Sequence, residues 1–353
     1  MSELLLRRRN LLMKKQEEEM NIRAVCFKAD GEQTVAITKV GSAPTITMQY
    51  SYDGVTWDAW DLTPLPFGGN TKVYMRGVRN NFFGKDSSNY NKITFGTDSY
   101  VYVSGIAEAL IDGENEVLTC KATGFLRNLF YHQTALRSAE NLKFEITTIP
   151  SIYSACYSNT FAGCTNLLYA PKALSIEIFG EGYDCVSMFQ GCTSLLIAPA
   201  LPATKLSPYC YQNMFQGCTS LISAPKISAT QLASNCCRSM FQDCTSLANA
   251  PDLPATTLAS GCYIFMFKNC SSLVNAPELP ANTLSDYSYG GMFQDCTNLK
   301  SIRCRAKIKA QNPTNLWLNG VTTSGTLYGH SEYGWSSGAS GIPSGWEFVE
   351  LTD

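Results

Sequence analysis

Charged residues are scarce in this chain. They make up 16% of its 353 residues, against about 25% in typical soluble proteins. The formal net charge is −2, whereas nucleic-acid binding needs a strongly basic face. We therefore expect no nucleic-acid partner. Hydrophobic residues reach 45% and aromatic residues 11%, which excludes a disordered chain.

Long apolar runs are also missing. The first 21 residues contain only the short runs Leu4–Leu6 and Leu11–Met13, whereas a secretory signal needs a continuous apolar segment of about 7–15 residues. No run approaches the roughly 20 apolar residues of a membrane-spanning helix, so no membrane insertion is expected. We expect assembly in a bacterial cytoplasm, where disulfides are disfavoured.

Histidine and the common catalytic motifs are rare or missing. The two histidines, His132 and His330, lie in no metal-binding or Ser–His–Asp pattern. No phosphate-binding glycine loop occurs. The sequence therefore predicts a protein that is not an enzyme and has no catalytic residues, metal or cofactor.

Three regions precede or follow a repetitive centre. Leucines near helical spacing predict an N-terminal helix over residues 1–22, either solvated or anchoring the chain to a partner. Residues 23–125 alternate β-branched and aromatic residues between turns such as Asp30-Gly31, which predicts a small antiparallel β-sandwich. Residues 309–353 are predicted to form a C-terminal β cap.

The central residues 126–308 are periodic. A phenylalanine returns after 28 residues and then four times after 26, and a degenerate earlier copy starts at Phe130, giving about seven repeats. This period lies in the leucine-rich-repeat range of about 20–29 residues. Within each repeat, a short segment before proline suits a strand, and cysteine, Met-Phe and cysteine spaced by about four suit one or two helical turns. The predicted fold class is mixed β with short helices, a leucine-rich-repeat solenoid preceded by the β-sandwich and the N-terminal helix.

The repeats resemble those of the BspA-like leucine-rich-repeat proteins of Bacteroides-type bacteria and their phages. The resemblance rests on the in-register copies of F-x-x-C-x-S/T-L, of which MFQGCTSL at 188–195 and 214–221 is an exact duplicate. It implies a binding or adhesive role without a reaction. Because no export signal is seen, we expect a phage virion protein, fibre-like and present in multiple copies, that attaches to the host surface. The alternative is a bacterial cell-surface adhesin of the same type.

The recurring cysteine admits three explanations: a metal site, a disulfide or a packing position. Structural zinc needs four converging Cys or His ligands, commonly in closely spaced pairs, whereas the cysteines here are eight apart within a repeat. A disulfide needs Cα atoms about 4.4–6.8 Å apart. Buried packing needs no further group and is favoured. The predicted structural ladder consists of Phe161, Cys164, Phe189, Cys192, Phe215, Cys218, Phe241, Cys244, Phe267, Cys270, Phe293 and Cys296.

The positions that vary between repeats are the candidate recognition surface. We expect the repeats to bind a host surface protein or glycan, and the N-terminal helix to bind other virion proteins. The candidate ligand-facing residues are Ile197, Ser223, Asn249 and Asn275 in one set and Lys205, Gln231, Thr257 and Thr283 in the other.

Overall fold

The computed structural model describes residues 22–80, 83–96, 99–113, 122–307 and 311–352. Within these ranges the chain forms three sheets. Their strands, in chain order, are β1 (Val25–Ala29), β2 (Gln33–Val40), β3 (Met48–Ser51), β4 (Asp58–Trp60), β5 (Leu65–Phe67), β6 (Val73–Gly77), β7 (Tyr90–Phe95), β8 (Val101–Ile106), β9 (Leu136–Lys143), β10 (Asn275–Leu279), β11 (Ser301–Cys304), β12 (Gly325–Gly329) and β13 (Trp346–Glu350).

Two of the sheets belong mainly to the N-terminal region. One has the order β4-β3-β6-β1-β8-β9 and the other β5-β2-β7. Strand β1 shows the period of two expected from a half-buried strand: Val25, Phe27 and Ala29 are buried while Lys28 is exposed. The two sheets meet where the rings of Phe27 and Phe95 contact each other edge to face, with centroids 5.5 Å apart.

The first of these sheets continues into the repetitive region. All its pairings are antiparallel except the last, in which β8 pairs in parallel with β9 of the first repeat. The third sheet, β10-β11-β12-β13, is wholly parallel and joins the last repeats to the C-terminal region. Sheet pairing therefore crosses both ends of the predicted repeat region, and the domain boundaries themselves remain a prediction.

The segment around each Met-Phe pair is a run of tandem turns. From Tyr209 to Cys218 the backbone N–H groups alternate between two kinds of carbonyl acceptor, one within the same repeat and one in the next repeat. Every second one donates to a carbonyl three residues earlier, as Met214 does to Tyr211 at 3.2 Å. The others donate to the next repeat, as Phe215 does to Met240 at 2.9 Å. Each backbone donor of the segment is thereby satisfied, half of them only because another repeat lies alongside.

Residues with a left-handed backbone conformation, in which φ is positive, recur at every fourth position of these turns. In this repeat they are Tyr209, Asn213 and Gly217, with φ of 58°, 54° and 73°. The final position of the three is Gly, Asp or Asn in successive repeats, namely Gly163, Gly191, Gly217, Asp243, Asn269 and Asp295. Glycine carries no steric penalty in this conformation, and Asn and Asp tolerate it better than other residues. The chain cannot continue as an α-helix through such positions.

The predicted fold class is therefore wrong. The described residues contain no α-helix and only two 3₁₀ segments, Ala107–Leu110 and Ser331–Tyr333. The architecture is β-sheets joined to tandem turns, and a leucine-rich-repeat solenoid is not shown. The physical reason is that the cysteine and Met-Phe spacing has a period of four set by left-handed residues, rather than the 3.6 of a helix.

The predicted N-terminal helix is corrected with the fold class, since no α-helix is found where the structure describes the chain. Residues 1–21, where most of it was placed, lie outside the described residues, and Ile22 lies in irregular chain. The partner prediction that depended on this helix, binding of other virion proteins, loses its basis as well.

A stack of phenylalanine rings forms the centre of the repeat core. The rings from Phe130 to Phe293 lie 5.2–5.7 Å apart, and each pair is within 16° of parallel. At one end Phe95 of β7 lies over Phe130, with centroids 6.5 Å apart. At the other end the buried ring of Trp317 contacts Phe293. Strand β7 before the repeats and the turn segment around Trp317 after them therefore cover the ends that the terminal repeats would otherwise expose to water.

Candidate functional site

The cysteines of the predicted ladder are structural. All six are fully buried, and each thiol donates a hydrogen bond of 3.0–3.2 Å to the phenylalanine carbonyl of the preceding repeat. The interpretation as a packing position was incomplete, because the sulfur also links neighbouring repeats. In the degenerate first repeat Gln133 replaces the cysteine, and its Oε1 accepts from the Phe95 N–H at 3.1 Å.

These thiols are poor candidates for chemistry. Burial raises the pKa of Cys164, Cys244 and Cys296 to about 12, and it raises the pKa of Cys192, Cys218 and Cys270 well above the ordinary range. A thiol with such a pKa is neither a nucleophile nor a ready metal ligand at neutral pH. The fourteen cysteines that the structure describes form no disulfide with one another. No group of three or more His, Cys, Asp or Glu side chains in the described ranges could hold a metal ion.

All eight candidate ligand-facing residues are exposed. They lie in two sets of equivalent positions, and several neighbours are joined by isolated parallel bridges: Ser223 with Asn249, Lys205 with Gln231, and Thr257 with Thr283. We call the second set, Lys205, Gln231, Thr257 and Thr283, the short row. Successive repeats therefore present the residues of both sets side by side.

The first set is part of a longer line of equivalent positions. Tyr169 bridges both Ser138 of β9 and Ile197. At the other end, Asn275 pairs with Ser301, and the line continues through β12 to β13. We call this line the long row: Lys28, Tyr102, Ser138, Tyr169, Ile197, Ser223, Asn249, Asn275, Ser301, Thr326 and Glu347. With adjacent strands about 4.8 Å apart, ten steps follow a path of roughly 48 Å.

A groove adjoins the long row where the first sheet meets the first repeats. It encloses about 360 Å³ and is lined by β1, β6, β8 and β9 together with Tyr169. Tyr102 and Tyr169 remain 36% and 38% exposed, large fractions for aromatic side chains at the edge of a folded core. Lys28, Lys72, Ser104, Ser138, Glu140 and Asn141 supply charged and polar groups. A second, wider cavity of about 620 Å³ lies beside Tyr52, Pro66 and Phe67.

The groove was not predicted from the sequence. Its residues come from strands distant in the chain. They are brought together by the pairing of β1 with β6 and with β8, by the pairing of β8 with β9, and by the bridge between Ser138 and Tyr169. Alternation in the segment Val101–Ile106 indicates that Tyr102 and Ser104 share one face of a strand. No local signal indicates which strands lie beside it.

The comparisons with known proteins leave the function open: no family model, no curated protein and no solved structure matches this chain. The resemblance to BspA-like repeats thus remains a prediction from the sequence motif. Within the ranges that the structure describes, no helix is long and apolar enough to span a membrane.

Proposed function

We propose that this chain is a non-enzymatic phage virion protein that attaches to a host-cell surface through the long row and the short row. The observation that carries the proposal is the long row itself, whose residues are exposed except for the half-buried Ser138, Ser301 and Thr326. It combines residues of different chemistry on one continuous line, while the residues beneath it are nearly identical from repeat to repeat.

The core positions and the long-row positions differ sharply in how much their residues vary between repeats. In the core, equivalent positions repeat Phe, Cys and Leu, and these side chains are fully buried. On the long row the equivalent positions carry Tyr169, Ile197, Ser223 and Asn249 in succession. A fold can vary exposed positions at small energetic cost, so this line can be fitted to a partner without changing the core.

A binding line of this kind suits a partner that is itself extended, such as a surface polysaccharide or a protein segment. Single contacts along it are individually weak because exposed polar groups exchange one hydrogen bond with water for another. Several copies on one particle would increase the overall binding strength by raising the effective concentration of each site. Binding through several weak sites suits a phage particle that displays several copies of the chain, as the sequence resemblance implies.

Two measurements test the proposal. Mass spectrometry of purified phage particles should find this chain among the virion proteins; its absence there would remove the virion assignment. The recombinant chain should also bind host cells, and binding should weaken at least tenfold in the double variant Ser223→Arg with Asn249→Arg, since two bulky cations would then occupy the long row.

A matched control is available on the tandem turns. Ser234 and Ser260 are also exposed, and they too occupy equivalent positions in successive repeats. The double variant Ser234→Arg with Ser260→Arg therefore makes the same change of size and charge away from the rows. Equal loss of binding in both double variants would contradict a role for the long row.

A further inference from the structure

We infer that the groove binds a sugar that carries a carboxylate, as part of an acidic surface polysaccharide that continues along the long row. This inference rests on the proposed function and names the class of ligand. The volume of the groove, about 360 Å³, falls in the range of small-ligand sites, about 300–1,000 Å³.

The two exposed tyrosines provide the surfaces for sugar rings. Tyr102 and Tyr169 lie on either side of Ser138 in the long row, which places their backbones two strand spacings apart, about 10 Å. The Tyr102 hydroxyl donates to Asp30 Oδ2 at 2.9 Å, which restricts the ring before any ligand arrives. An aromatic ring with one polar edge offers an apolar face to the C–H groups of a sugar while its hydroxyl stays hydrated or bonded.

The charges of the groove favour an anionic ligand. Lys28 and Lys72 line it on the β1–β6 side, and Lys28 is exposed with no carboxylate within ion-pair distance among the residues that the structure describes. Glu140 is the only acidic lining residue, and its Oε1 lies 3.8 Å from Lys172 Nζ. The Asp30 carboxylate beside the groove accepts the Tyr102 hydroxyl, so Lys28 supplies the ammonium group that can meet an anion on the side away from Glu140.

Polar groups complete the match to a sugar. The Asn141 amide and the Ser104 hydroxyl also line the groove, on directly paired positions of β9 and β8. An amide both donates and accepts hydrogen bonds, as the hydroxyls of a sugar require. A purely apolar peptide side chain would leave these groups without water or a partner, which is unfavourable.

The test is calorimetric titration of the full chain with two named probes, the trisaccharide of galacturonic acid and the neutral trisaccharide maltotriose. We expect the acidic probe to bind more tightly, and its binding to weaken as salt is raised. Tyr169→Ala and Lys28→Gln should each weaken it about fivefold to tenfold, through loss of an aromatic contact and of a charge. Tyr102→Phe, which keeps the ring and removes the hydroxyl, should retain most of the affinity.

The matched controls are Tyr287→Ala and Lys226→Gln, which remove an exposed tyrosine and an exposed lysine outside the groove. Loss of affinity confined to the groove variants supports the inference. Equal binding of both probes, no binding of either, or equal loss in the control variants overturns it. Host-cell binding by the same variants separates the two proposals: if the chain binds cells and the groove variants bind as well as wild type, only the groove assignment fails.

Discussion

Replacing Gly217 by alanine distinguishes a tandem turn from a helix by the sign of its effect on stability. In a helix interior, glycine to alanine would raise the free energy of unfolding by roughly 1 kcal/mol. In the structure Gly217 has φ of +73°, the left-handed region that alanine avoids. The added Cβ would meet only Gly191 Cα and N, both at 3.8 Å, which is ordinary contact. The penalty is therefore conformational and not a clash.

The expected size follows from two opposing terms. The left-handed conformation costs an L-residue with a Cβ about 1–2 kcal/mol. Alanine also restricts the unfolded chain more than glycine does, which returns about 0.4–1 kcal/mol. We therefore expect Gly217→Ala to lower the free energy of unfolding by about 1 kcal/mol.

Urea unfolding followed by far-ultraviolet circular dichroism measures this change. The matched variant is Gly217→Asn, because Asn269 occupies the equivalent position with φ of 61°; it should cost less than alanine. If alanine stabilises the protein, or if asparagine destabilises it as much as alanine, the assignment of a left-handed residue at this position is refuted.

Three further predictions concern the buried groups. Burial raises the pKa of Glu108 and of Asp184 to about 7, so the folded state holds protons that the unfolded state releases. This stabilisation is complete below about pH 4 and is lost as pH rises towards 7, by about 3 kcal/mol for Glu108. Thermal unfolding should show a lower Tm at pH 8 than at pH 5, with a smaller difference in Glu108→Gln. Phe215→Ala, in the middle of the ring stack, should cost about 3–5 kcal/mol in urea unfolding; a cost below 1 kcal/mol would contradict the stack. Iodoacetamide labelling of native protein at pH 8 should modify the half-buried Cys26 and spare Cys244, and unfolding in urea without reductant should expose both thiols. Failure of Cys244 to react after unfolding would reveal a disulfide.

The Glu108 carboxyl also shows how the first sheet and the repeats share one core. It is fully buried and accepts the Tyr157 hydroxyl at 2.6 Å and the Glu145 N–H at 3.0 Å. Tyr157 belongs to the repetitive region and Glu108 to the preceding one. Interactions of this kind, between residues 49 positions apart, have no signature in the local sequence.

The wrong helix prediction has a specific cause. Cys210, Met214 and Cys218 are spaced by four, and all three are buried, as one face of a helix would be. A period of four and a period of 3.6 cannot be told apart over so few residues. The informative signal was the residue before the last cysteine, which is Gly, Asp or Asn in every repeat from Phe161 to Phe293, since these residues favour the left-handed region.

The sequence by itself determined the repeat length, the residue types that form the core and the positions that are exposed. A fixed period places equivalent residues side by side whatever the local conformation, so Phe, Cys and Leu form the core and Ile197 or Asn249 face water. Only the tertiary structure decided the backbone conformation and the groove. Half of the tandem-turn N–H groups bond to the next repeat, and the groove is formed by strands that meet through long-range pairing. Neither arrangement is stable in an isolated segment, because the partners that satisfy it lie elsewhere in the chain.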